Sequence, residues 1–204
     1  MQIGRNEAMR PRTTLLLFVA LASLAVAGAP REAHAARRPM PSWDGRAVLR
    51  LHGGASFPMG NFGSSYQTGF SGGGSIGYGV SEQVLISWGV AYHHFGHEQL
   101  SNVDANITPY TISVDYKIPV RSGIRPWVSG GIGLYHVAQS VDLGGGTTAS
   151  VSENNFGLHF GAGIGAPVGA KTMIGTGLKF HYVGGDNFID TPFITYQVGV
   201  AAVL

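Results

Sequence analysis

Between Ile107 and Val120 the chain alternates almost without error, and no other feature limits its fold as much. Thr108, Tyr110, Ile112, Val114, Tyr116, Ile118 and Val120 share one side; Pro109, Thr111, Ser113, Asp115 and Lys117 share the other. Successive side chains of a strand point to opposite sides, so the run predicts a strand with one apolar and one polar face. The pattern returns where Phe156, Leu158, Phe160, Ala162, Ile164, Ala166 and Val168 alternate with Asn155, Gly157, His159, Gly161, Gly163 and Gly165. The second face is mostly glycine and small polar residues. A soluble sandwich would solvate that face with many lysines and glutamates. Charged residues are only 12% of the chain, about half the usual share of roughly 25%. The polar face is therefore expected inside and the apolar face outside, in lipid.

The N-terminus carries an independent signal. Arg5, Arg10 and Arg12 precede an uncharged apolar run from Leu15 to Ala27, and Ala33-His34-Ala35 follows. A basic start, a short apolar run and an A-x-A site describe a secretory signal peptide, with cleavage after Ala35 or, second, after Ala27. The run falls short of the roughly 20 apolar residues that a spanning helix needs. The chain has no cysteine, which excludes disulfides, zinc-thiolate sites, thiol nucleophiles and a lipoprotein anchor. Cleavage after Ala35 removes four of the 13 basic residues and two of the 11 acidic ones, leaving nine of each. The net charge of +2 belongs to the precursor, and nucleic acid is not an expected partner.

No later stretch could span a bilayer as a helix, so an exported chain that crosses a membrane must close its hydrogen bonds as a barrel. Eight strands are expected, at 46–57, 69–80, 84–96, 107–119, 124–138, 154–167, 172–183 and 193–204. The connections alternate. Those at 58–68, 97–106, 139–153 and 184–192 are long, whereas 81–83, 120–123 and 168–171 are short turns. Long extracellular loops and short periplasmic turns are the asymmetry of an outer-membrane barrel. The domain reading is a signal peptide at 1–35, a short periplasmic segment at 36–45 and a barrel at 46–204, with no further domain expected after Leu204. The first strand should pair with the last near Leu49 and Val200, since an open edge is intolerable in lipid.

Aromatics should form bands where lipid meets water. Phe57, Phe70, Tyr92, Tyr110, Phe156, Tyr182 and Tyr196 fall near the long-loop end, and Tyr78, Tyr116 and Trp88 nearer the turns. The 32 glycines among 204 residues are more than double the average share of about 7%. Inward ones such as Gly131, Gly133, Gly161, Gly163, Gly175 and Gly177 suit a narrow, crowded lumen.

The segments Arg125-Pro126-Trp127-Val128-Ser129-Gly130-Gly131-Ile132-Gly133-Leu134-Tyr135 and Leu178-Lys179-Phe180-His181-Tyr182, with the final strand, resemble the small eight-stranded outer-membrane barrels of the OmpA/OmpW type. Members of that family end in an insertion signal whose places are taken here by Gln197, Gly199, Ala202 and Leu204; the family prefers an aromatic last residue, and Leu204 departs from it. The resemblance covers about 46–204. It implies lipid and lipopolysaccharide as surroundings, and the barrel-insertion machinery as a partner of the C-terminal strand.

Several motifs suggest chemistry and do not carry it. Gly72–Gly77 fits G-x-G-x-x-G and Gly161–Ala166 fits G-x-G-x-x-A, but both lie inside alternating strands without the helix that would face a pyrophosphate. The G-x-S-x-G matches at Gly69–Gly73 and Gly73–Gly77 lack a strand–turn–helix context. A barrel that modifies lipopolysaccharide is the enzymatic alternative, and it would need a His-x-Ser pair; His181-Tyr182-Val183 has valine at that place. Asp186 and Asp190 read as loop residues. His93, His94, His97 and Glu98 have the composition of a metal cluster, yet His93 and His97 would stand about 13 Å apart on a strand. Asn106-Ile107-Thr108 is a glycosylation sequon only in a eukaryotic secretory path. No catalytic, cofactor or metal residue is therefore assigned.

Inside, Asp115 is the one clear acid on a strand face, and Arg50, Lys117, Arg125 and Lys179 are the bases. An isolated charge there is expensive, so an ion-pair network plugging the lumen is expected ahead of an ion-selective constriction. His93, His159 and His181 each stand about nine residues above the periplasmic end of strands three, six and seven. Similar height in a narrow lumen could bring the rings together as a pH-responsive plug. The expected protein is a monomeric, non-enzymatic outer-membrane barrel serving envelope integrity, loop-mediated adhesion or narrow passage of small solutes.

Overall fold

The computed structural model describes residues 41–120, 123–145, 147–184 and 190–204. The expected signal peptide and Asp186 lie outside them. The strands are β1 (Ala47–Pro58), β2 (Gly69–Gly79), β3 (Val84–Gly96), β4 (Val103–Lys117), β5 (Arg125–Asp142), β6 (Thr148–Pro167), β7 (Thr172–Val183) and β8 (Phe193–Val203). Each pairs antiparallel with the next, and β1 pairs with β8, so the sheet closes as a barrel. Leu51 faces Val200 and Leu49 faces Ala202 across the closing seam. Closure removes both free edges, which is what lipid demands of a sheet.

The alternation sorts as expected. Ile112, Val114, Phe160, Leu178 and Val200 are exposed on the outer surface, and Leu158 is half-buried there. Ser113, Asp115 and His159 are buried, and Lys179 lines the interior. Phe70, Tyr92, Tyr110, Phe156 and Tyr182 are exposed in the upper aromatic band, while Phe57 and Tyr196 are half-buried. Tyr78, Tyr116 and Trp88 are exposed toward the turns.

Three strands run further than the alternation predicts. β4 begins at Val103, not 107. β5 and β6 have 18 and 20 residues and stay paired out to Asp142↔Thr148, so the expected loop at 139–153 shrinks to 143–147. About 9–11 tilted residues cross a bilayer, so this hairpin stands well beyond the lipid as a ribbon. Backbone pairing continues there, but outward side chains such as Ser150, Ser152 and Asn154 need not be apolar, and the alternation that marks a lipid-facing strand disappears. Gly144 and Gly145, with φ of 80° and 63°, supply the left-handed backbone at its tip.

The interior is apolar at both ends. The connection between β1 and β2 carries a one-turn helix, α1 (Gly60–Gly63), and returns Phe62 and Tyr66 into the upper mouth. There they join Phe95, Ala105, Ile107, Tyr135, Val137, Val183 and Phe193 in one buried cluster. The Phe62 ring lies 5.1 Å from Phe95, edge-on, and Phe95 lies 5.7 Å from Phe193. At the lower end Trp43 packs on Val48, Leu85 and Val203. The chain is folded back there by hydrogen bonds from Gly45 N to Gly79 O and from Arg46 N to Trp43 O.

Candidate functional site

Between the two apolar clusters lies the polar interior, the only region where titratable groups from many strands converge among the described residues. Arg50 on β1 and Asp115 on β4 form an ion pair of 2.9 Å. Arg50 Nε also donates to Ser75 Oγ at 2.9 Å and Nη2 to Ser87 Oγ at 2.6 Å, and Ser87 Oγ donates to the same carboxylate oxygen at 3.2 Å. These bonds tie β1, β2, β3 and β4 across the lumen. Charge-assisted bonds of this kind are the strong ones, because each has an ionised donor or acceptor.

The expected network is smaller than the sequence suggests. Lys117 takes no part in it: its ammonium sits 4.0 Å from the centre of the Trp43 ring and donates to Pro41 O. A cation over an indole face is attracted by the ring quadrupole, so the lower cluster holds this charge instead of a carboxylate. Arg125 forms no ion pair among the described residues.

The three histidines do come together. His93 and His181 have ring centres 5.4 Å apart, and His159 and His181 have theirs 5.7 Å apart. The pairing of β6 with β7 sets His159 directly opposite His181. Each ring has one hydroxyl neighbour: Ser56 Oγ at 2.9 Å from His93 Nδ1, Ser113 Oγ at 3.0 Å from His159 Nε2, and Tyr135 Oη at 3.0 Å from His181 Nδ1. His181 stacks on Phe193 at 4.5 Å, which joins the histidine layer to the upper cluster. Gly131 makes room for His159, since a Cβ there would stand 2.6 Å from its Cε1. Gly163 and Gly177 do the same for Trp127, with a Cβ at either 2.6 Å from Cζ2.

This arrangement is not a hydrolase triad. His93 Nε2 and His159 Nδ1 have no hydrogen-bond partner, so no carboxylate orients either Ser–His pair. His181 faces inward and Val183 is buried in the upper cluster. His94 and His97 part company with His93: His94 bonds Asn106 Oδ1 on the outer face, and His97 Nδ1 accepts from the amides of Gln99 and Leu100. Among the described residues no group of three metal-ligating side chains could hold an ion. A cavity of about 150 Å³ runs from the lower cluster up to the histidine layer, lined by Trp43, Arg50, His52, His93, Asp115 and Lys179 among others.

Sequence reasoning missed three parts of this interior. Trp43 is one, Phe62 and Tyr66 the second, and the inward aromatics Tyr135 and Phe193 the third. Tyr135 and Phe193 were legible by parity alone, since both fall on the glycine-bearing face of their strands. The other residues lie in connections, where no periodicity says which way a side chain turns.

A closed, eight-stranded antiparallel barrel with an apolar belt outside and charges within is a transmembrane β-barrel. No curated protein matches the chain. Its sequence from residue 16 to 202 matches the family model described as outer membrane protein beta-barrel domain, and the chain belongs to that family. It is a multi-pass protein of the bacterial outer membrane. Among solved structures it is similar to Neisserial surface protein A, with a TM-score of 0.61 and 22% identity over 78% of this chain and 97% of that one. OprG of Pseudomonas aeruginosa gives a TM-score of 0.52 at 13% identity, covering 80% and 98% of the two chains. Ail, the attachment invasion locus protein of Yersinia pestis, gives 0.51 at 15%, covering 79% and 99%. At such identities the likeness is one of fold.

Proposed function

We propose that this barrel is a non-conducting, non-enzymatic scaffold whose work is done outside the membrane, by the β5–β6 ribbon and the loops beside it. The observation that carries this reading is the pair of apolar clusters at the two ends of the interior, Phe62, Phe95 and Phe193 above and Trp43, Leu85 and Val203 below. Water and ions cross such layers poorly, and eight strands leave an interior that side chains can fill. The ribbon supports the second half of the reading, because a paired hairpin presents side chains in fixed order beyond the lipid. An attachment role is also in keeping with the name of Ail, which has the same fold.

In this reading residues 1–35 are a signal peptide cleaved after Ala35, and 36–45 form a periplasmic segment that ends in the Trp43 plug. The mature protein is a monomer in contact with lipopolysaccharide, inserted by machinery that reads β8 from Gln197 to Leu204. Planar-bilayer recording of the purified protein tests the central statement. Silence over long recordings is expected, with openings appearing only when both layers are breached, by Phe62→Ala and Phe193→Ala above together with Trp43→Ala below. Discrete openings of the unaltered protein would overturn it and favour narrow passage of small solutes.

A further inference from the structure

We propose that the cavity in the barrel interior holds a small monovalent anion, chloride or one of similar size, beside the Lys179 ammonium. The inference is independent of what the extracellular ribbon binds.

The first ground is charge. Arg50, Lys179 and Asp115 are the charged side chains that line the cavity. Asp115 is already spent, on Arg50 at 2.9 Å and on the Ser87 hydroxyl. The ion pairs formed among the described residues are Arg50–Asp115 and His94–Asp104, so Lys179 belongs to none. An uncompensated charge enclosed by protein and lipid is expensive. The histidines at the cavity add no negative charge. The surplus is thus one positive charge, which a monovalent anion neutralises and a divalent one would overshoot.

The second ground is an unpartnered polar atom. His93 also lines the cavity, is 2% exposed, and has a ring Nε2 with no hydrogen-bond partner. In the tautomer in which Ser56 donates to Nδ1, Nε2 carries the proton and is a buried donor without an acceptor, the form that an anion would select. Such groups are costly when left alone. An anion accepts from both Lys179 and an imidazole N–H, whereas a cation or a neutral apolar guest accepts from neither.

The third ground is size. The cavity measures about 150 Å³, and about 10–15 Å³ of such space is enough for one water. A halide with its waters fits.

The protein is purified from the outer membrane in detergent, unfolded, and refolded in sodium bromide or sodium gluconate at equal ionic strength. Crystals from bromide are examined at the bromine absorption edge. The expected result is an anomalous peak within hydrogen-bonding distance of Lys179 Nζ, and a melting temperature about 3 °C or more higher in bromide than in gluconate. Lys179→Met should abolish the difference between the two salts. No peak in the cavity would overturn the proposal, and would mean that Lys179 is neutral or solvated by water alone. A bromide effect of equal size in Lys179→Met would overturn it too. If that variant fails to refold, the anomalous map of the unaltered protein decides by itself.

Discussion

Single side chains inside this barrel fall into two kinds, those that hold charge and those that leave room. Asp115 is the first kind: it receives Arg50 and Ser87 at one carboxylate oxygen. Asp115→Asn should leave Arg50 enclosed without a counter-charge and cost about 3 kcal/mol, read as a shift in the urea midpoint of the refolded protein. Gly177 is the second kind. Gly177→Val would drive a side chain into Trp127, whose Cζ2 already stands 2.6 Å from where the Cβ would be, and should cost about 1–3 kcal/mol in the same assay. The inward glycines were legible as a set, because they share a face with serines and charges. Which ring each one accommodates was not, since that depends on register across strands far apart in sequence. The partner of Arg50 was narrowed by elimination, Asp115 being the one acid with inward parity. The fate of Lys117 was hidden because its partner, Trp43, lies ahead of the first strand, where there is no parity to read.

At the scale of elements, the connections behave differently from one another. That between β1 and β2 is not a loose loop: α1 and Tyr66 turn inward, and Gln67 N bonds Gly96 O at 2.8 Å. Burial, with a smaller contribution from the Asp104 carboxylate, raises the Tyr66 hydroxyl above its ordinary value. A group raised in this way lends stability that is fully present below the unfolded value of about 10 and is lost as pH climbs through the folded one. Protease cleavage within 59–68 should therefore rise steeply above pH about 10, and Tyr66→Phe should flatten that rise. The strands themselves were legible wherever lipid enforces an apolar face. The upper reaches of β4, β5 and β6 were not, because beyond the lipid a strand needs only backbone partners.

For the molecule as a whole, closure was legible from two facts that sequence alone supplies, alternating faces and alternating connection lengths. The histidine layer was reached by counting from the turns, which works because β6 and β7 pair without a bulge from Pro167↔Met173 up to His159↔His181. The upper cluster was out of reach, and its make-up bears on how the barrel comes into being. Its members are drawn from β3, β4, β5, β7 and β8 and from the connection that follows β1. No pair of neighbouring strands contains it, and Phe193 on β8 reaches Phe95 on β3, and through it Phe62, only once the two ends of the sheet have found each other. Contacts that far apart in sequence reward the chain last. A half-built sheet therefore has no lid, and its polar groups remain wet on both sides of the interior. Drying of the lumen and joining of the seam are one event, so a barrel that has failed to finish is physically distinguishable from one that has, before anything outside the membrane touches it.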